Sequence, residues 1–149
     1  MSNPKKFSLE EICAVLPQQP PFLFLDEAVI DGKEITASYL VRGDEFLLKG
    51  HFKNDPVFPG SIMFEAMGQA GCLSVLNECG PLESSQLLFV MMDGARCFKR
   101  VTPGHRIEMK ITLMQLRKPL AAFRGTAFVD GERVAEVEKF MLAFGVDAP

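Results

Sequence analysis

The 149-residue chain is 48 % hydrophobic and 23 % charged, with a formal net charge of −3. That composition suits one globular domain able to bury its own core, and it carries no basic footprint for a nucleic-acid partner. Its four cysteines (Cys13, Cys72, Cys79, Cys97) show no C-x-x-C spacing and only two histidines accompany them. Neither a metal site nor a disulfide framework is therefore expected, and free thiols in a reducing, cytoplasmic setting are.

Residues 1–6 are polar and basic with no apolar segment after them, so no secretory signal is expected. Ser8-Leu9-Glu10-Glu11 has the form of a capping box and predicts a short helix to about Val15, stopped by Pro17. Residues 22–30 and 35–41 are apolar runs separated by Asp31-Gly32, a hairpin signal. Residues 42–60 hold Gly43, Gly50, Pro56, Pro59 and Gly60, which predicts a shaped loop with room for one short strand.

A long helix begins near Ser61, entered by Pro59-Gly60 and ended by Gly80-Pro81. It is apolar nearly all round, as a helix enclosed by protein is. Glu65 and Gln69 interrupt residues 61–76, too short and too polar a stretch for a membrane span. Beyond it the period changes. Ile107, Met109, Ile111 and Leu113 alternate with Glu108, Lys110 and Thr112, the pattern of a half-buried strand. Residues 87–99, 120–129 and 133–144 predict three more strands, with turns at Pro103-Gly104 and Asp130-Gly131. One helix cannot cover both faces of such a sheet. The expected fold is α+β: a curved antiparallel sheet of five to six strands wrapped around one long central helix.

The chemistry is expected in residues 50–60 together with Glu65. His51 sits in a loop stiffened by prolines, and imidazole titrates near working pH, which makes it the default general acid or base. Glu65 falls on the second turn of an apolar helix, where burial raises a carboxyl towards a useful general acid. Gln69, one turn on, is placed to hydrogen-bond Glu65 and hold its carboxyl. The backbone N–H groups of Gly60 and Ser61 lie at the helix N-terminus, where developing negative charge is favoured. Base, acid and oxyanion donors thus fall within one short segment, as proton abstraction beside a thioester carbonyl requires. A histidine in a loop and an acid in a helix can equally be structural, and these residues alone leave both readings open. His105 reads as a turn residue beside a strand.

At these residues the sequence resembles the 3-hydroxyacyl-[acyl-carrier-protein] dehydratases of the FabZ and FabA type, members of the hotdog superfamily. The resemblance runs from Leu16-Pro17 to Ala143. It is carried by Gly50-His51-Phe52, Pro56-Val57-Phe58-Pro59-Gly60 and Glu65-Ala66-Met67-Gly68-Gln69-Ala70, with Val129-Asp130-Gly131-Glu132 at the last hairpin. It implies a hotdog fold that forms homodimers, often trimers of dimers, with active sites shared between protomers. It implies that His51 removes the α-proton, Glu65 protonates the departing β-hydroxyl and Gly60 N–H polarises the thioester carbonyl. No cofactor or metal is required. Glu65 resembles FabZ, since FabA carries Asp there. Lys53-Asn54-Asp55 and Gln18-Gln19-Pro20 depart from the FabZ pattern, which leaves a specialised polyketide or polyene pathway open beside fatty acid synthesis.

An acyl chain needs an apolar tunnel, and Phe58, Met63, Phe64, Met67 and Phe89, with Met91 and Met92, are the residues expected to supply it, although all also suit a plain core. An acidic acyl-carrier protein needs a basic docking patch, for which Arg96, Lys99 and Arg100 are the densest cluster. Two other readings share these features: a hotdog thioesterase or enoyl hydratase acting on coenzyme A, and a non-catalytic acyl-binding subunit.

Overall fold

The computed structural model describes residues 3–81 and 87–145. Strand β1 (Lys5–Phe7) leads into helix α1 (Leu9–Val15), followed by the hairpin of β2 (Glu27–Asp31) and β3 (Glu34–Leu40). A 3-10 turn (Phe46–Lys49) precedes the long helix α2 (Gly60–Cys79). Four strands complete the chain: β4 (Leu87–Cys97), β5 (Arg106–Arg117), β6 (Leu120–Val129) and β7 (Glu132–Phe144). All seven strands form one sheet in the order β1-β2-β3-β5-β6-β7-β4, with every neighbouring pair antiparallel.

The sheet thus has one strand more than the five to six expected. β1 is three residues long and buries only Phe7, too little for alternation to register. Residues 22–25 do not join the sheet either. Pro20 and Pro21 offer no N–H donors, and the backbone of Phe22 and Phe24 is bonded by the Gln69 side chain in place of a strand neighbour. The loop after β3 holds the 3-10 turn where a short strand was expected.

The local signals otherwise act as chemistry dictates. The Ser8 hydroxyl accepts from Glu11 N–H at 3.2 Å while Glu11 accepts from Ser8 N–H at 3.1 Å, a complete capping box that starts α1. Asp130 and Gly131 both take positive φ (51° and 77°), the two-residue turn that matches strand twist, and so fix the β6–β7 register. Bulges in the β4–β7, β5–β6 and β6–β7 pairs bend the sheet around α2.

Every residue of α2 from 66 to 76 is buried, so the helix needs no polar stripe. Gly68 explains how it fits: a Cβ there would lie 2.6 Å from the Phe89 ring, so the ring packs directly on the helix backbone. Phe89, Phe140 and Phe123 stack in sequence beneath it, at 5.6 and 5.1 Å between centroids. Among the described residues no helix is long and apolar enough to cross a membrane.

The two sheet edges differ. β1 is short, whereas β4 is eleven residues long and, among the described residues, has no strand paired along its outer edge. Met92 pairs with Phe140, which is fully buried in the core, yet Met92 itself is 40 % exposed. Met92 is thus an inward-facing apolar side chain that the described residues leave partly uncovered at the sheet edge.

Candidate active site

His51 follows the 3-10 turn and begins a tight reversal. Phe52 and Asp55 exchange backbone hydrogen bonds at 2.8 and 3.1 Å, with Asn54 at φ 56°. Val57 then returns to His51 twice. Its N–H donates to the His51 carbonyl at 2.8 Å, and its own carbonyl lies 2.8 Å from His51 Nδ1. A carbonyl can only accept, so in the neutral ring Nδ1 carries the hydrogen and Nε2 is left with the free lone pair. The Phe52 ring covers one side of the imidazole, centroids 3.9 Å apart.

Phe58 N–H donates to the Val101 carbonyl at 2.7 Å, which aims the chain at the start of α2. There the N–H groups of Ile62 and Met63 bond the Pro59 carbonyl, at 3.0 and 3.2 Å. Those of Gly60 and Ser61 are left at the open end of the helix, as an N-terminus requires. A Cβ on Gly60 would lie 2.5 Å from Cys97 Sγ, so only glycine lets the end of β4 close over this helix terminus.

His51 and Gly60 share one cleft of about 300 Å³, walled also by Val57, Phe58, Met63 and Cys97, with Phe98, Lys99 and Arg100. Glu65 is not among its walls. The acid lies further along α2, half-buried and without a cationic partner among the described residues. Burial pushes its carboxyl above the ordinary range, opposed by a hydrogen bond from Gln69. Gln69 is fully buried and clamps three groups: its Nε2 donates to Glu65 Oε2 at 3.0 Å and to the Phe22 carbonyl at 3.0 Å, while its Oε1 accepts from Phe24 N–H at 2.9 Å. The Phe24 bond fixes which way the amide points, so towards Glu65 it can only donate. One turn beyond, the Cys72 thiol is pushed up to about 12 by burial and then by Glu65, which keeps it neutral.

The expected tunnel residues divide. Phe58 and Met63 wall the His51 cleft. Met67 packs beneath Gly125, Phe89 against Gly68, and Phe64 is buried; these three line the core beside α2, not the cleft. Of the three docking cations, Lys99 and Arg100 stand on the cleft wall and Arg96 does not. Each already holds a carboxylate: Arg96 with Glu136, Lys99 with Glu132, and Arg100 with Asp55 at 3.0 Å. His105 is structural, its Nδ1 accepting from Thr102 N–H at 3.1 Å. The sequence carries no sign that the Val57 carbonyl orients His51 or that Cys97 walls the cleft; a backbone acceptor has no residue signature, and Cys97 reaches Gly60 only through the fold. Among the described residues no three His, Cys, Asp or Glu side chains gather to hold a metal ion.

A curved antiparallel sheet around one buried helix, with its polar groups at the helix N-terminus, is the hotdog fold. The dehydratase heterocomplex ApeI:P from Xenorhabdus doucetiae shares it, with a TM-score of 0.76 at 17 % identity over 91 % of each chain. So does a hypothetical thioesterase from Streptococcus pneumoniae solved with coenzyme A, with a TM-score of 0.57 at 10 % identity over 78 % of this chain and 82 % of that one. Within that fold the chain belongs to the FabA-like family, whose domain matches residues 16–138. It is similar to the 3-hydroxyacyl-[acyl-carrier-protein] dehydratase FabZ of Proteus mirabilis, 36 % identical over 93 % of this chain and 94 % of that protein. The FabZ of Magnetococcus marinus is 39 % identical over 88 % of each.

Proposed function

We propose that this chain is a 3-hydroxyacyl-[acyl-carrier-protein] dehydratase of fatty acid synthesis, converting the (3R)-3-hydroxyacyl thioester to the trans-2-enoyl thioester and water. The observation that carries the proposal is the cleft that His51, its tautomer set by the Val57 carbonyl, shares with Gly60 at the N-terminus of α2. FabZ relatives similar over nearly their whole length supply the substrate class.

His51 Nε2 removes the α-proton, and the C–H electrons form the C2–C3 double bond as the C3–O bond breaks. The charge that develops on the thioester oxygen is stabilised by Gly60 N–H and the helix dipole. Glu65, whose carboxyl burial pushes towards the protonated form, donates its proton to the departing hydroxyl, which leaves as water. The imidazolium and the carboxylate then return to their starting states by proton exchange, so the cycle is balanced without a cofactor.

The two groups work as a pair only if another chain brings its acid to this histidine, since Glu65 lies outside the His51 cleft. The open β4 edge, with Met92 uncovered beside it, supports a homodimer joined there, in which His51 meets Glu65 of the partner subunit. Three such dimers would form the trimer of dimers that the family resemblance implies. A carrier-borne substrate and four unpaired cysteines support a cytoplasmic setting.

The test is incubation with 3-hydroxyacyl-carrier substrates of several lengths, read by loss of water in the mass spectrum. His51→Ala and Glu65→Gln should each lower turnover by about 10²–10⁴-fold, the range of general acid–base catalysis, while the protein stays folded. Release of free thiol without enoyl product would point to the thioesterase reading. Wild-type turnover in either variant would refute the assigned roles.

A further inference from the structure

Resting on that reading of His51, we propose that Tyr39 and Glu45 form one positioning unit that holds the His51 loop in its working geometry. Neither residue lines the cleft. Their claim rests on the bonds that connect them to both ends of the His51 reversal.

The chain leaves β3 at Leu40 and must be redirected within ten residues so that His51 faces the N-terminus of α2. Glu45 gathers that redirection on its carboxylate. It accepts from Gly43 N–H at 2.7 Å, Arg42 N–H at 3.0 Å and the Tyr39 hydroxyl at 2.7 Å. The backbone carbonyl of Glu45 accepts from Leu48 N–H at 3.0 Å, and that of Leu48 accepts from His51 N–H at 3.4 Å. Two hydrogen bonds therefore separate Glu45 from the backbone of the histidine.

Tyr39 reaches the other end. Its ring, 5 % exposed, packs tilted against Phe58 with centroids 5.7 Å apart. Phe58 directly follows Val57, whose carbonyl sets the imidazole. The same ring meets Phe24 edge-on at 5.8 Å, and Phe24 N–H is held by Gln69, the clamp on Glu65. A phenylalanine would fill the same space. What tyrosine adds is a buried hydroxyl, which is unfavourable without a partner and here has Glu45. The loop before His51 is thus tied by a polar bond on one side and seated on an aromatic one on the other, the pre-organisation a base needs.

Tyr39→Phe keeps the aromatic packing and deletes only the hydroxyl bond; Glu45→Gln keeps a side-chain acceptor but not the charge. Each should lower kcat about tenfold with KM within twofold, because a loop misplaced by less than 1 Å loses alignment before it loses binding. The double variant should be no worse than the poorer single one, as expected of residues acting as a unit. Nitrogen-15 NMR of the His51 ring should show the Nδ1–H form replaced by exchange between tautomers. Should Glu45→Gln not fold, Tyr39→Phe alone carries the test. Unchanged kcat and an unchanged ring spectrum in Tyr39→Phe, with only a lower melting temperature, would overturn the proposal. So would losses that multiply in the double variant. If His51→Ala proves active, the base assignment fails, whereas the imidazole spectrum still decides whether Tyr39 and Glu45 hold the ring.

Discussion

Replacing Gln69 with leucine probes the acid from beneath. The substitution is close in volume and the site is fully buried, so its main effect is the loss of three hydrogen bonds. Phe24 N–H and the Phe22 carbonyl lose their partner at once. At about 1–3 kcal/mol for the buried Phe24 N–H left unpaired, with the carbonyl of exposed Phe22 able to turn to water, a net loss of about 1–3 kcal/mol is expected. The third bond, to Glu65 Oε2, adds a pH dependence. The Glu65 pKa is already raised by burial, so its share of stability is full below the unfolded value of about 4.3 and declines as pH rises through the folded value. Gln69 opposes that rise, because its N–H favours the charged form. Without it the folded pKa climbs further, and the variant should lose more stability relative to wild type at pH 8 than at about pH 4. Urea unfolding at fixed protein concentration and both pH values measures this. The alkaline decline in turnover should shift to higher pH in the same variant, since the acid stays protonated longer. A stability difference that is the same at both pH values would refute the role of Gln69 in tuning Glu65.

Three further outcomes follow from particular contacts. Met92→Glu places a charge on the uncovered inward side of β4, and sedimentation should find monomers with little activity; an active dimer would remove β4 from the interface. Gly60→Ala drives a methyl to 2.5 Å from Cys97 Sγ and should cost about tenfold or more in kcat, while adding Cys97→Ala should restore part of it; absence of rescue would refute the steric account. Asp55→Asn frees Arg100 from its only carboxylate partner among the described residues. If Arg100 docks the carrier, KM should fall a few-fold at low salt and the gain should vanish at high salt.

How far the sequence carried depended on the range of each signal. The capping box at Ser8, the Asp130-Gly131 turn and the entry and exit of α2 at Pro59 and Gly80 were legible because each is local: the residue that carries the preference also takes the conformation. β1 and the non-strand course of residues 22–25 were not, because one depends on a distant pairing with β2 and the other on the Gln69 side chain. The same division runs through the site. His51, Glu65, Gln69 and Gly60 stand in one short stretch and their side-chain chemistry nominates them, and the Gln69–Glu65 bond follows from helical spacing alone. The cleft that joins His51 to Cys97, and the carboxylates facing each docking cation, bring together segments far apart in the chain.

By itself the sequence determined which groups could do acid–base chemistry and that one apolar helix must be enclosed, because residue type and periodicity are properties of the chain alone. Only the tertiary structure decided which nitrogen of His51 is free, which way Gln69 points and which sheet edge is left open. The Val57 carbonyl meets the imidazole only because the loop folds back on itself, and Phe22, Phe24 and the strand neighbours come from parts of the chain that only the fold brings together.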